Sequence, residues 1–97
     1  MTELRKKAID TCNRALEVLI AAYTVLKEQR AAAIAAGKDD PEALLMIRKI
    51  ARSGATVDVL SKWANSEEFH ESLVQMGLDI LLTEMKELGF DMEGLTK

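Results

Sequence analysis

Aromatic residues are scarce in this chain of 97 residues, which has only Tyr23, Trp63, Phe69 and Phe90. Proline occurs once and glycine five times, so there is little turn-forming sequence for a fold of many short strands. The core must instead be built from Leu, Ile, Val, Ala and Met, a mixture typical of helices packed on helices. These shortages predict an all-α protein.

Cysteine and long hydrophobic runs are also almost missing. Cys12 is the only cysteine, so the chain cannot form an internal disulfide, and a reducing compartment is indicated. The longest apolar run, Val18 to Tyr23, is far shorter than the ~20 residues that span a bilayer. The basic residues near the N-terminus are not followed by a signal-peptide hydrophobic region. We therefore expect a cytoplasmic protein that has no membrane partner.

The composition is otherwise that of a folded soluble protein, with 48% hydrophobic and 30% charged residues, and predicts one domain over residues 1–97. The net charge of −3 is unevenly distributed. Residues 1–52 carry ten Lys and Arg against seven Asp and Glu, whereas residues 67–97 carry eight acidic residues against Lys86 and Lys97. The acidic region could steer a basic partner or help two copies dock, although solvated helix faces are the commoner explanation of such an imbalance.

The longest predicted element is a helix over residues 2–36. Its apolar residues recur at alternating spacings of three and four, which places them on one face, and Gly37 is the first residue expected to stop it. Thirty-five residues span roughly 52 Å as a helix. A compact domain of this size has a diameter of about 32 Å, so the helix either breaks or extends beyond its own domain.

Residues 41–88 are predicted to form a helical hairpin or bundle region. Asp40 and Pro41 are a strong helix start, and the second helix is expected to run from Pro41 to about Arg52. A short third helix follows from Thr56 to about Ala64, after a turn at Ser53 and Gly54. Ser66 is then expected to cap a fourth helix that reaches Leu88, and residues 89–97 form a tail into which Phe90 and Met92 can dock.

The predicted fold is therefore a small all-α helical bundle with one long N-terminal helix, two shorter helices and a fourth long helix. Because the first helix is longer than its neighbours can cover, we expect a homodimer that completes the bundle. Val18, Ile20, Val25 and Ile34 widen the apolar face of this helix. The predicted dimer interface consists of Ile9, Leu16, Leu19, Tyr23 and Leu26.

The most specific local pattern runs from Ile50 to Thr56 and continues from Leu60 to Asn65. Ala51, Gly54, a Ser/Thr cap and the Leu-Ser-Lys-Trp run resemble the helix-turn-helix of phage-type repressors, which implies a recognition helix that binds DNA. Only two residues separate Ala51 from Gly54, where that family has three. The residues that the resemblance would place on DNA are Arg48, Lys49, Arg52, Thr56, Ser61 and Lys62.

Patterns that could carry catalysis or bind a metal are weak. Glu67 and His70 have a spacing seen in di-metal bundles, but the second pair and further carboxylates are missing from the sequence pattern. Cys12 lies on an apolar helix face, far from any helix N-terminus that would activate its thiol. We therefore predict no enzyme activity, no cofactor and no metal site.

The leading functional hypothesis is a small non-enzymatic interaction protein that binds a macromolecular partner. A phage-type inhibitor or an adaptor is an example of such a protein. The alternative is a helix-turn-helix transcriptional regulator that binds DNA. The first requires a protein partner, and the second requires salt-dependent affinity for duplex DNA.

Overall fold

The structure is a computed structural model that describes residues 2–92. Three α-helices make up this part of the chain: α1 is Glu3–Ala35, α2 is Pro41–Asn65 and α3 is Glu71–Glu87. The all-α prediction is confirmed, and the predicted number of four helices is wrong. None of the described helices has an apolar stretch long enough to cross a membrane.

Helix α1 is unbroken over its 33 residues, as its apolar spacing predicts. Thr2 caps the N-terminus by accepting a hydrogen bond from the Arg5 backbone N–H. The helix ends in a left-handed Gly37 with φ 76°, and the Lys38 N–H donates to the Ala33 carbonyl at 2.9 Å. This is a Schellman ending, in which glycine takes the positive φ without steric cost.

Helix α2 turns back along α1 and forms an antiparallel hairpin with it. Asp40 caps α2 by accepting from the Ala43 N–H at 3.1 Å, and it also accepts from the Gln29 amide of α1 at 3.0 Å. Farther along, the Cys12 thiol donates to the Val57 carbonyl at 3.7 Å. These contacts fix the register of the hairpin at both ends.

The predicted turn at Ser53 and Gly54 does not form, because α2 continues through both residues. The residues of α2 that bury against the core recur at spacings of three and four on both sides of Gly54, so one helix face is packed without interruption. Glycine inside a helix costs about 1 kcal/mol, which this burial outweighs. The buried residues of this face are Ile50, Ser53, Val57, Leu60 and Ala64.

Helix α3 begins later than predicted. Ser66 ends α2 instead of capping the next helix, and α3 starts at Glu71 with His70 as its N-cap. The Arg5 guanidinium donates to the Ser66 carbonyl at 3.2 Å and lies 4.6 Å from the centre of the Phe69 ring. These contacts hold the connection against α1 in a non-helical conformation.

Helix α3 packs closely on α2 at Gly77. A Cβ at this position would lie 3.0 Å from the Leu60 Cδ1 and 3.3 Å from ring carbons of Trp63. At the other end, Met92 is buried and Phe90 packs against the core. Residues 93–97 of the predicted tail lie outside the described residues.

The described chain is elongated, with principal extents of 52 × 24 × 17 Å and a radius of gyration of 15.4 Å. Helix α3 has 17 residues and is roughly 25 Å long, so it covers only about half of α1. The core consequently lies at one end of the molecule, around Ala15, Leu60, Val74 and Leu81.

Candidate interaction surface

The part of the hairpin that α3 leaves uncovered is a two-helix arm, defined here as residues 20–49. Within this range only Ala43 is buried. Large apolar residues are exposed on the arm, including Ile20, Val25, Ile34 and Leu45. A pair of helices with so little burial is a poor folding unit by itself, so the arm depends on the core for its position.

One face of the hairpin forms an apolar groove, which we call the arm groove. Leu16, Ile20 and Tyr23 expose 45%, 56% and 41% of their surface along it. Its lining residues are Leu16, Leu19, Ile20 and Tyr23 from α1, and Ile47, Ile50, Ala51 and Gly54 from α2. Because the surface that lines it is apolar, the arm groove offers shape and hydrophobic contact rather than hydrogen-bonding groups.

The arm groove and α3 lie on different sides of α2. Helix α3 contacts α2 through Thr56, which donates a hydrogen bond to Glu84, and through the Gly77 crossing against Trp63. At 3.6 residues per turn, the groove residues Ala51 and Gly54 are rotated roughly half a turn from these positions. Helix α3 therefore leaves the whole groove open.

The structure distributes the five predicted dimer-interface residues between the core and the surface. Leu16 and Tyr23 are exposed in the arm groove, whereas Leu19 is only 3% exposed and forms part of its floor. Ile9 and Leu26 are half-buried and pack against the core. The predicted interface lacks the α2 side of the groove because a turn was expected at Ser53 and Gly54. The spacing of Ala51 and Gly54 from Ile47 would have marked one helical face.

The six residues predicted to contact DNA are not gathered on a separate recognition helix. They lie on the continuous helix α2, where Arg48, Lys49, Arg52 and Lys62 are exposed and Thr56 and Ser61 are partly buried. Three of them already have acidic partners within the protein. The Arg52 Nε lies 3.3 Å from the Glu84 carboxylate, Thr56 donates to the same carboxylate, and the Lys62 Nζ lies 3.1 Å from Asp58.

The residues considered for catalysis or metal binding lie in different environments. Cys12 is buried, and this burial raises the pKa of its thiol to about 11, which disfavours the nucleophilic thiolate at neutral pH. His70 is exposed at the N-cap of α3, where its side chain makes no capping hydrogen bond. Within residues 2–92, His, Cys, Asp and Glu do not cluster in a way that could hold a metal ion.

Comparisons of this chain with protein-family models, with curated proteins and with solved structures found no match.

Proposed function

We propose that the protein is a small non-enzymatic interaction protein that works as a homodimer and binds a macromolecular partner. The observation that supports this proposal is the open arm groove, an apolar face that α3 leaves uncovered and along which Leu16, Ile20 and Tyr23 are exposed. Contiguous exposed apolar surfaces of this kind mark interaction sites. The burial of Cys12 supports the non-enzymatic part of the proposal, because the only thiol is withdrawn from substrates.

The groove side of the hairpin is large enough to form an interface with a second copy of the chain. From Leu16 to Ile34, α1 runs roughly 27 Å, and two helices about 9 Å apart present a face about 19 Å wide. Each copy would thus contribute about 500 Å², and two copies about 1,000 Å², which is near the lower limit for a specific interface. Two hairpins packed face to face also produce a four-helix layer, a common helical arrangement.

The lining of the arm groove does not oppose self-association by charge, because none of its eight residues is charged. Ala51 and Gly54 are small, so the backbone of a second helix can approach closely there. A second copy would meet apolar surface without a field of like charge.

Light scattering after size exclusion tests the homodimer. We expect the mass to approach twice 10.7 kDa at high micromolar concentration. Ile20→Glu, which places a charge in the arm groove, should leave a folded monomer. Val25→Glu is the matched control, because Val25 is 63% exposed on a different side of α1, and it should remain dimeric.

A monomeric mass for the unchanged protein at high concentration would overturn the homodimer. Equal dissociation of both variants would instead remove the arm groove as its interface.

A partner bound by the homodimer can be sought by photo-crosslinking in cells from a residue outside the groove, such as Met76 on α3. We expect a discrete adduct with one other macromolecule. Its absence would argue against the interaction function.

A further inference from the structure

The outer side of α3 carries a second apolar surface, separate from the arm groove. Leu73, Met76 and Ile80 are 38%, 46% and 46% exposed, and their spacing of three and four places them in one row. We call this row the α3 stripe. It lies beside the seam with α2, because Gly77, between Met76 and Ile80, is the residue that touches Leu60 and Trp63. Val59 of α2 is also exposed, by 42%.

Acidic residues border the α3 stripe at both ends. Glu68 lines a shallow depression together with Trp63 and Leu73. Glu71 and Asp79 line another with Met76 and Ile80. Over residues 67–92 there are seven Asp and Glu against one Lys or Arg, Lys86. The stripe is therefore apolar along its centre and negative around its edges.

The basic residues nearest on α2 do not neutralise these edges. The Arg52 guanidinium lies 3.3 Å from the Glu84 carboxylate and 4.0 Å from that of Glu87. Its charge is therefore paired at the C-terminal end of α3, away from these edges. Lys62 pairs with Asp58 on its own helix. Arg5 of α1 lies against Ser66 and Phe69, on either side of Glu68, so the negative field available to a partner is mainly that of Glu71 and Asp79.

We infer that the α3 stripe binds a basic amphipathic helix supplied by the macromolecular partner. Apolar side chains of that helix, spaced three and four apart, would pack on Leu73, Met76 and Ile80, and flanking Lys or Arg would face the acidic edges. This inference rests on the proposed function, since it identifies the partner-binding surface and the chemistry of its ligand.

Other occupants fit the α3 stripe less well because of its charge. A second copy would bring another set of seven acids and one base against the first, and like charges facing each other are unfavourable. Nucleic acid and the anionic surface of a membrane are also repelled by an acidic border. A basic helix is the occupant for which both the apolar row and the carboxylates are favourable.

A peptide of about 18 residues, made only of Leu and Lys in an amphipathic helical pattern of about five turns, is a suitable probe. A peptide in which Glu replaces every Lys is the matched control. Fluorescence anisotropy with the full chain should show binding of the Leu/Lys peptide that weakens as salt rises. The Leu/Glu peptide should not bind.

Two matched pairs of variants locate the binding surface. Ile80→Lys should weaken binding of the Leu/Lys peptide at least about tenfold, because it removes apolar contact and adds a like charge. Val25→Lys makes the same kind of change at an exposed position of α1 outside the arm groove and should leave the affinity unchanged. Asp79→Lys should weaken binding, whereas Glu28→Lys, on the exposed side of the arm, should not. Circular dichroism checks that each variant folds, and Ile80→Gln replaces Ile80→Lys if that variant does not.

Equal binding of the two peptides, or equal weakening by Ile80→Lys and Val25→Lys, would overturn the inference. These outcomes are independent of the homodimer. A dimeric mass without peptide binding removes only the role of the α3 stripe, and peptide binding by a monomer removes only the role of the arm groove.

Discussion

Replacing Gly54 by Ala should stabilise the protein, because this glycine lies inside a continuous helix and has no need of its special backbone freedom. A Cβ at Gly54 would meet nothing within 4 Å. Gly54 is also not one of the described glycines that have a positive φ. Alanine in a helix interior is favoured over glycine by about 0.5–1 kcal/mol. For a domain of this size, the melting temperature should rise by about 3–6 °C.

Gly77→Ala is the matched control, since it makes the same change at a helix crossing. Its Cβ would lie 3.0 Å from the Leu60 Cδ1 and 3.3 Å from the Trp63 ring. Forcing α3 away from α2 costs about 1–3 kcal/mol, which exceeds the helical gain. We therefore expect Gly77→Ala to lower the free energy of unfolding by about 1 kcal/mol.

Urea and thermal denaturation, followed by circular dichroism in an Ile20→Glu background, would measure both effects without a contribution from dimer dissociation. A Gly54→Ala variant that is less stable than its parent would refute the continuous helix. That result would show that the backbone at this position requires glycine, as a turn between two helices does.

Three further predictions follow from the same geometry. Burial raises the pKa of Cys12 from 9.0 to about 11, so between about pH 9 and pH 11 the unfolded chain loses a proton that the folded protein keeps. The free energy of unfolding should then fall by up to about 2 kcal/mol over this range, and Cys12→Ala should lack this component of the pH dependence in urea titrations. Glu84, whose side chain is 13% exposed, accepts from Thr56 and pairs with Arg52. Glu84→Ala should cost about 1–2 kcal/mol in the same measurement and Glu84→Gln less, and equal stability of both variants with the parent would contradict the role of this contact. Titration with duplex DNA should give no salt-dependent binding, and binding that Lys62→Glu abolishes would restore the DNA-binding hypothesis.

The sequence was sufficient to predict the hairpin's first helix and the start of its second. The regular apolar face of α1 and the left-handed Gly37 mark one helix and its end, and the Asp40-Pro41 pair marks the next start. Each signal is local, because it depends on residues within a turn or two of one another. The all-α class and the excess length of α1 followed from the same signals.

The continuity of α2 through Gly54 and the start of α3 could not be predicted from such local signals. Gly54 looks like a turn residue, but burial of Ser53 and Val57 against α1 decides the conformation there. Ser66 looks like a helix cap, but Arg5, 61 residues away in sequence, holds its carbonyl. The open groove was only half predicted for the same reason, because its α2 side exists only if that helix is continuous.

The uneven cover of α1 implies that one helix will show two levels of protection from hydrogen exchange. Its first half is clamped by α2 and α3 around Cys12, whereas beyond Ile20 it has only α2 beside it. Amides there can open by local fraying without disrupting the core, and such openings cost less free energy than global unfolding. We expect the boundary between slow and fast exchange to lie near Ile20, with no change of secondary structure to mark it, and to move toward Gly37 when the arm groove is filled.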